Sequence, residues 1–245
     1  MNLHKQLLTK NECYLADRWI IPKGIMVHST GANNPNLRRY VGPDDGLLGL
    51  NTNGNHWNQY RPGGRQVCVH AFIGKLKDGT IATYQTLPWT MRGWHGGGSS
   101  NNTHIGFEIC EDDLTDRDYF NKVYQEAVEL CVYLCKLYNL TEKNIICHSE
   151  GYKKGIASNH SDVMHWFPKH GKTMDDFRED VGKLLKGGGD EVVYNKLDDV
   201  PSWAKESVKY FIDKGYLAGE SGGSLNLSYE MVRILVIMYR ALTSK

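Results

Sequence analysis

Ten histidines stand in 245 residues, and two of them close short apolar runs. His28 follows Ile25-Met26-Val27, and His148 follows Ile145-Ile146-Cys147. A ring held at the end of a buried strand keeps a fixed direction, as a metal ligand or a general base requires. Two such ends can converge across a sheet, although a histidine in such a place, taken alone, is more often a hydrogen-bonded core or polar surface residue. The stretch Asn159-His-Ser-Asp-Val-Met-His165 adds three possible ligands, His160, Asp162 and His165. Two neutral imidazoles and one carboxylate suit zinc and leave its fourth position to water. Zinc lowers the pKa of such a water and polarises a carbonyl, while a neighbouring carboxylate takes the proton. Glu108, in the run 104–110, is the best-placed carboxylate for that work. A strand-end carboxylate facing solvent is its plainer explanation.

Holding these groups requires a sheet with helices packed on it. Residues 24–28 read as a short buried strand that stops at Ser29-Thr30-Gly31. Residues 66–73 and 80–84 read as strands joined through the turn Asp78-Gly79, and 104–110 and 144–148 as two more. Thr115 with Asp118 has the pattern of a capping box, opening a helix through Tyr138. Its apolar positions Phe120, Val123, Ala127, Cys131 and Leu134 recur at steps of three and four and give it one core-directed face. A further helix fits 174–185. Interleaved strands and helices imply an α/β fold with a central mixed sheet flanked by helices.

Composition narrows the possibilities. With 40% hydrophobic residues the chain can bury a core without disulfide staples, and a net charge of +1 supplies no field for a nucleic-acid partner. Six cysteines form no CxxC pair and read as reduced and buried; Cys131 and Cys135 share a helix face, where core packing outweighs a metal role. No basic flank with an apolar run marks a secretion signal, and residues 231–239 are too few to span a bilayer, so the expectation is synthesis in the cytoplasm with no membrane span. Gly187-Gly188-Gly189 marks a boundary: residues 1–186 form one domain, 187–193 a linker and 194–245 a small, mainly helical domain. There Pro201 opens a helix expected to turn Trp203, Val208, Phe211 and Ile212 inward, and Ser228 caps a second. The glycine-rich segment 93–98 suits a loop at a cleft rim, with Trp94 and His95 as substrate contacts, and His56 and Trp57 in the Asn-rich segment 51–60 offer a second wall.

Several motifs stand in a telling order: Val27-His-Ser-Thr-Gly31, Gly93-Trp-His-Gly-Gly97, Asn102-Thr-His-Ile-Gly-Phe-Glu-Ile-Cys110, His148, Gly155-Ile-Ala-Ser-Asn-His-Ser-Asp162 and His165-Trp-Phe-Pro168. Over about residues 20–183 the chain resembles the zinc-dependent N-acetylmuramoyl-L-alanine amidases of phage endolysins and bacterial autolysins, which are related to peptidoglycan recognition proteins. The resemblance implies Zn2+ held by His28, His148 and Asp162, with His165 as the substitute should Asp162 stand back from the metal. It implies that Glu108 activates water, and that His160 stands where many members use a lysine to stabilise the oxyanion. Val69 occupies the place of a tyrosine found in some members, which shifts weight to Glu108 and His160. The implied reaction is hydrolysis of the amide between N-acetylmuramic acid and L-alanine in bacterial peptidoglycan, at the cell wall after release. Two other readings share these residues: a non-catalytic peptidoglycan-binding protein of the same fold, and a zinc hydrolase acting on small acylated peptides. Residues 216–220 and 225–227 resemble part of a surface-layer-like or endolysin wall-binding module, which implies a cell-wall glycan as partner of the C-terminal domain.

Overall fold

The computed structural model describes residues 1–186, 193–219 and 223–243. The chain divides into two compact units, Met1–Leu185 and Lys186–Lys245. The stretch 187–192, which the sequence assigns to a linker, lies outside the described residues.

In chain order the elements up to that boundary are β1 (Leu3–Lys5), α1 (Glu12–Leu15), β2 (Gly24–Asn33), β3 (Ala71–Lys75), β4 (Ile81–Gln85), β5 (His104–Glu111), α2 (Arg117–Tyr138), β6 (Ile145–Cys147), α3 (His148–Lys153) and α4 (Met174–Lys186). The strands form one six-stranded sheet in the order β1-β4-β3-β5-β2-β6. Only β3 and β4 run antiparallel, so the sheet is mixed.

The two-residue period of a strand sorts core from chemistry. Ile25 and Val27 of β2 and Ile105, Phe107 and Ile109 of β5 point to one face, where they join Phe120, Val123, Ala127, Cys131 and Leu134 of α2 in the main core. Phe177 and Val181 of α4 belong to the same core. The alternate residues, His28 on β2 and Glu108 on β5, therefore fall on the opposite face. Beyond them, Phe72, Tyr84 and Cys110 build a second core with Leu37, Tyr40 and Leu48 from the long connection after β2. Register then aligns the reactive groups: His28 lies opposite Glu108, and Val27 lies opposite Cys147, the residue before His148. His148 follows the carboxyl end of β6, and His28 and Glu108 lie beside it within β2 and β5.

Several element ends differ from the sequence reading. β2 continues past Ser29 to Asn33, because the Glu111 amide donates to Thr30 Oγ1 and the Gly31 amide donates to a Glu111 carboxylate oxygen, which carries polar residues along the edge of β5. β3 starts at Ala71 and not at residue 66; Cys68 instead pairs with Trp94 in an isolated bridge. His148 opens α3 and does not end a strand, so its backbone turns at the point where its ring must aim. The helix α2 is capped by Asp116, whose side chain accepts the Tyr119 amide at 2.9 Å, while the Thr115 hydroxyl donates to Asp113. At its other end Asn139 adopts the left-handed conformation and its N–H reaches the Cys135 carbonyl. Asp116→Ala should cost about 1 kcal/mol in urea unfolding, whereas Thr115→Ala should change the midpoint little. All six cysteines are free and buried.

The second unit has its own small core. Helices α5 (Ser202–Asp213) and α6 (Tyr229–Thr243) pack through Ala204, Val208, Val232 and Val236, with Tyr194 and Leu227 bridged beside them. Ser228 Oγ accepts the Met231 amide at 3.1 Å, as an N-cap does. Trp203 departs from expectation: it is 50% exposed, and the inward positions of α5 are filled by Ala204, Val208 and Phe211. Among the described residues no helix is long and apolar enough to cross a membrane.

Candidate metal centre and catalytic cleft

Three side chains from distant segments meet above the sheet. His28 Nδ1 lies 3.0 Å from Asp162 Oδ2 and 3.1 Å from His148 Nδ1, and the His148 Nδ1 to Asp162 Oδ2 distance is 3.5 Å. All three residues are buried, and among the described residues they form the one cluster with donor atoms close enough to share an ion. The Asp162 segment is tied to α3 by the Ser149 amide, which donates to the Asp162 carbonyl.

Hydrogen-bond accounting fixes which ring nitrogens carry lone pairs. His95 Nε2 lies 3.1 Å from the His104 carbonyl and must donate to it, so His95 Nδ1 is an acceptor. His28 Nε2, 2.9 Å from that acceptor, is therefore the protonated nitrogen, and His28 Nδ1 presents a lone pair to the cluster. His148 follows the same rule. The Ser158 hydroxyl donates to Gly96 O, so Ser158 Oγ accepts from His148 Nε2 at 3.1 Å, which leaves the His148 Nδ1 lone pair facing His28 and Asp162. Two lone pairs and a carboxylate thus converge in a buried space, which is unfavourable without a cation between them and suited to one with nitrogen and oxygen ligands.

The electrostatics agree. Burial would raise the Asp162 carboxyl, but the closeness of His148 and His28 outweighs it and holds the group well below the usual carboxylate range. Burial, partly offset by Asp162, pushes His28 down from its ordinary value and so favours the neutral imidazole a metal binds. His95 is pushed further down, first by burial and then by His28 and His70. Gly106 makes room for its ring: a Cβ there would overlap the His95 imidazole. His95→Phe should weaken zinc affinity about 10- to 100-fold, read by competition with a chromogenic chelator, because the ring that orients His28 is lost.

The cluster opens into a cleft of about 640 Å³. Glu108 lines it, with Oε2 buried and unpartnered. Burial, with the charges of Asp162 and Glu111, raises its carboxyl well above the ordinary range. An acid in that state is poised to exchange a proton once a cation stands beside it. His160 also lines the cleft, with Nδ1 3.0 Å from Ser158 Oγ, so that one serine couples it to His148. Trp94 and Trp57 form walls; Trp94 is held by paired backbone bonds with Cys68 and by the Arg92 guanidinium over its ring, and Trp57 packs against Phe72. His95 lines the cleft as well, but both its ring nitrogens are engaged within the protein.

His56 is not among the residues that line the cleft, whereas Trp57 beside it is. His165 is not drawn into the metal cluster either. Its Nε2 bonds Glu111 Oε1 at 2.9 Å, and that contact raises its pKa. Ser158 and Glu111 were not singled out from sequence. Ser158 stands two residues before His160 and Glu111 three after Glu108, but their roles rest on contacts between segments that no local pattern reveals.

The sequence profile of the family described as N-acetylmuramoyl-L-alanine amidase matches residues 18–165. The N-acetylmuramoyl-L-alanine amidase XlyA of Bacillus subtilis (strain 168) is 32% identical over 119 residues, which are 47% of this chain and 34% of that protein. The chain thus matches about a third of the length of that curated relative. Among solved structures, Staphylococcus aureus hydrolase AmiA superposes with a TM-score of 0.55 at 17% identity, over 77% of this chain and 84% of that one. The catalytic domain of XlyA does so with a TM-score of 0.51 at 23% identity, over 74% of this chain and 100% of that one. At such identities these superpositions speak for the fold.

Proposed function

This chain belongs to the N-acetylmuramoyl-L-alanine amidase family, and on that basis we propose that it hydrolyses the amide between N-acetylmuramic acid and the first L-alanine of bacterial peptidoglycan. The observation that carries the proposal is the meeting of three buried donors, His28, His148 and Asp162, beside an unpartnered carboxyl. Zinc bound by these residues would supply a Lewis acid that polarises the lactyl carbonyl and acidifies a water. Glu108 takes the proton from the attacking water and returns it to the departing alanine nitrogen. His160, whose Nδ1 lies 3.0 Å from Ser158 Oγ, offers a ring N–H to the developing oxyanion. His95 and Ser158 hold the two ligand rings in the tautomers described above. Trp94 and Trp57 give the cleft apolar walls for sugar or peptide.

Residues 194–245 are proposed to bind a wall polymer and so raise the local concentration of the catalytic unit; full-length protein should sediment with purified walls more completely than protein ending at residue 186. The activity itself is tested by digesting purified peptidoglycan with zinc-loaded protein and weighing the products. Free muramic lactyl carboxylates with new L-alanine amino termini are expected. Binding to walls without either product would overturn the reading in favour of a receptor.

A further inference from the structure

A trough leads away from the metal cluster, and its charge reverses along the way. The main cleft adjoins a hollow of about 230 Å³ with which it shares Trp57 and Arg65. That hollow in turn shares Arg39 and Asn55 with a third, of about 600 Å³. At the metal end the lining acids are Glu108, Glu111 and Asp162. Beyond Arg65 the charged lining residues are Arg39, Arg38 and Lys77 against a single acid, Asp44. One Asp44 oxygen is already taken up by the amides of Gly46 and Gly49. Among the described residues the side chains of Arg65, Arg38 and Lys77 have no hydrogen-bond or ion-pair partner, and Arg39 spends one N–H on the Asn55 carbonyl. Arg65 is exposed and follows a glycine pair in left-handed conformation, Gly63 and Gly64, which turns the chain at the junction of the first two hollows.

Three guanidiniums and one ammonium with most of their N–H donors unspent are a surface for carboxylates. In the proposed substrate the glycan side of the scissile amide carries no free carboxylate, because the lactyl carboxyl is consumed in that amide. The peptide side carries them. We propose that the stem peptide leaves the metal site past Arg65 and lies along this trough, with its carboxylates taken by Arg65 and by the Arg39, Arg38 and Lys77 group beyond. The track rests on the amidase reading, which names a peptide as the group that extends from the site, and it makes Arg65 a specificity-determining residue: a stem whose second residue has a free α-carboxylate is preferred over its carboxamide twin.

Binding tests this without relying on turnover. Full-length Glu108→Gln protein, supplied with zinc, is titrated calorimetrically with two muramyl tripeptides that differ only in that carboxylate or carboxamide. The carboxylate form should bind about tenfold more tightly, the order expected for one charge-assisted hydrogen-bonded contact. Arg65→Gln should bring the two ligands to parity and Arg65→Lys should keep part of the preference. Arg38→Gln with Lys77→Gln should weaken longer stems more than short ones. Equal binding of the two tripeptides, or a preference that survives Arg65→Gln, overturns the track. So does selective binding of a phosphate-bearing wall polymer with no discrimination between the tripeptides. Absence of amide cleavage by the wild-type chain, with the carboxylate preference intact, counts against the amidase reading and leaves the track standing.

Discussion

Glu108→Gln is expected to lower kcat on peptidoglycan by about 10²- to 10⁴-fold, the usual contribution of a positioned general acid–base group, with bound zinc unchanged. The glutamine is nearly isosteric, and Glu108 is not one of the three converging donors, so the loss would come from proton transfer and not from metal release. The same substitution has a second consequence of opposite sign. Burial and two nearby carboxylates raise the folded-state pKa of Glu108 well above 4.5. Between the ordinary value and the raised one the folded state holds more protons than the unfolded state, so stability falls as pH rises through that window. In metal-free protein, Glu108→Gln should therefore raise the melting temperature at neutral pH, and the gain should disappear as pH drops below 4.5. Full retained activity would remove Glu108 from the mechanism. A stability gain independent of pH would show that the raised carboxyl is not its source.

Stripping the metal should abolish hydrolysis and also loosen the fold. A site assembled from β2, the start of α3 and the segment around Asp162 exists only when the sheet is complete, so an ion bound there stabilises the native state by mass action. At zinc concentrations one hundred times the dissociation constant the gain is about 2.7 kcal/mol, which for a unit of this size is a melting shift on the order of 5–10 °C. Asp162→Asn and His28→Ala should lose the zinc-dependent shift, and His165→Ala should keep it. A shift that persists in Asp162→Asn but vanishes in His165→Ala would move the metal to the Glu111 side of the cleft.

Local patterns carried the parts of this molecule that local forces build. The alternation in 104–110 is the strand β5, and the three-and-four spacing after Phe120 is the buried face of α2. Element ends proved harder. Thr115 and Asp116 are both good capping residues, and the choice between them turns on Thr115 being occupied by Asp113. β2 outruns its apolar segment because Glu111 and Thr30, far apart in sequence, exchange bonds across the edge. Trp203 was misjudged since its position on α5 marks it as apolar without saying that α6 lies elsewhere. The ligand residues could be proposed from type and resemblance, whereas the tautomer chain from the His104 carbonyl through His95 to His28 is a property of three-dimensional contact alone. The cations of the trough were equally hidden: residues 38, 39, 65 and 77 form no run.

The six buried thiols make this chain its own gauge of opening. An alkylating reagent added to folded protein finds no sulfur to modify until some segment comes apart. Cys131 and Cys135 lie on the buried face of α2, Cys147 adjoins the ligand His148, and Cys13 and Cys68 share a separate small cluster. The order in which mass spectrometry finds them labelled would tell whether the catalytic end yields before the interior does.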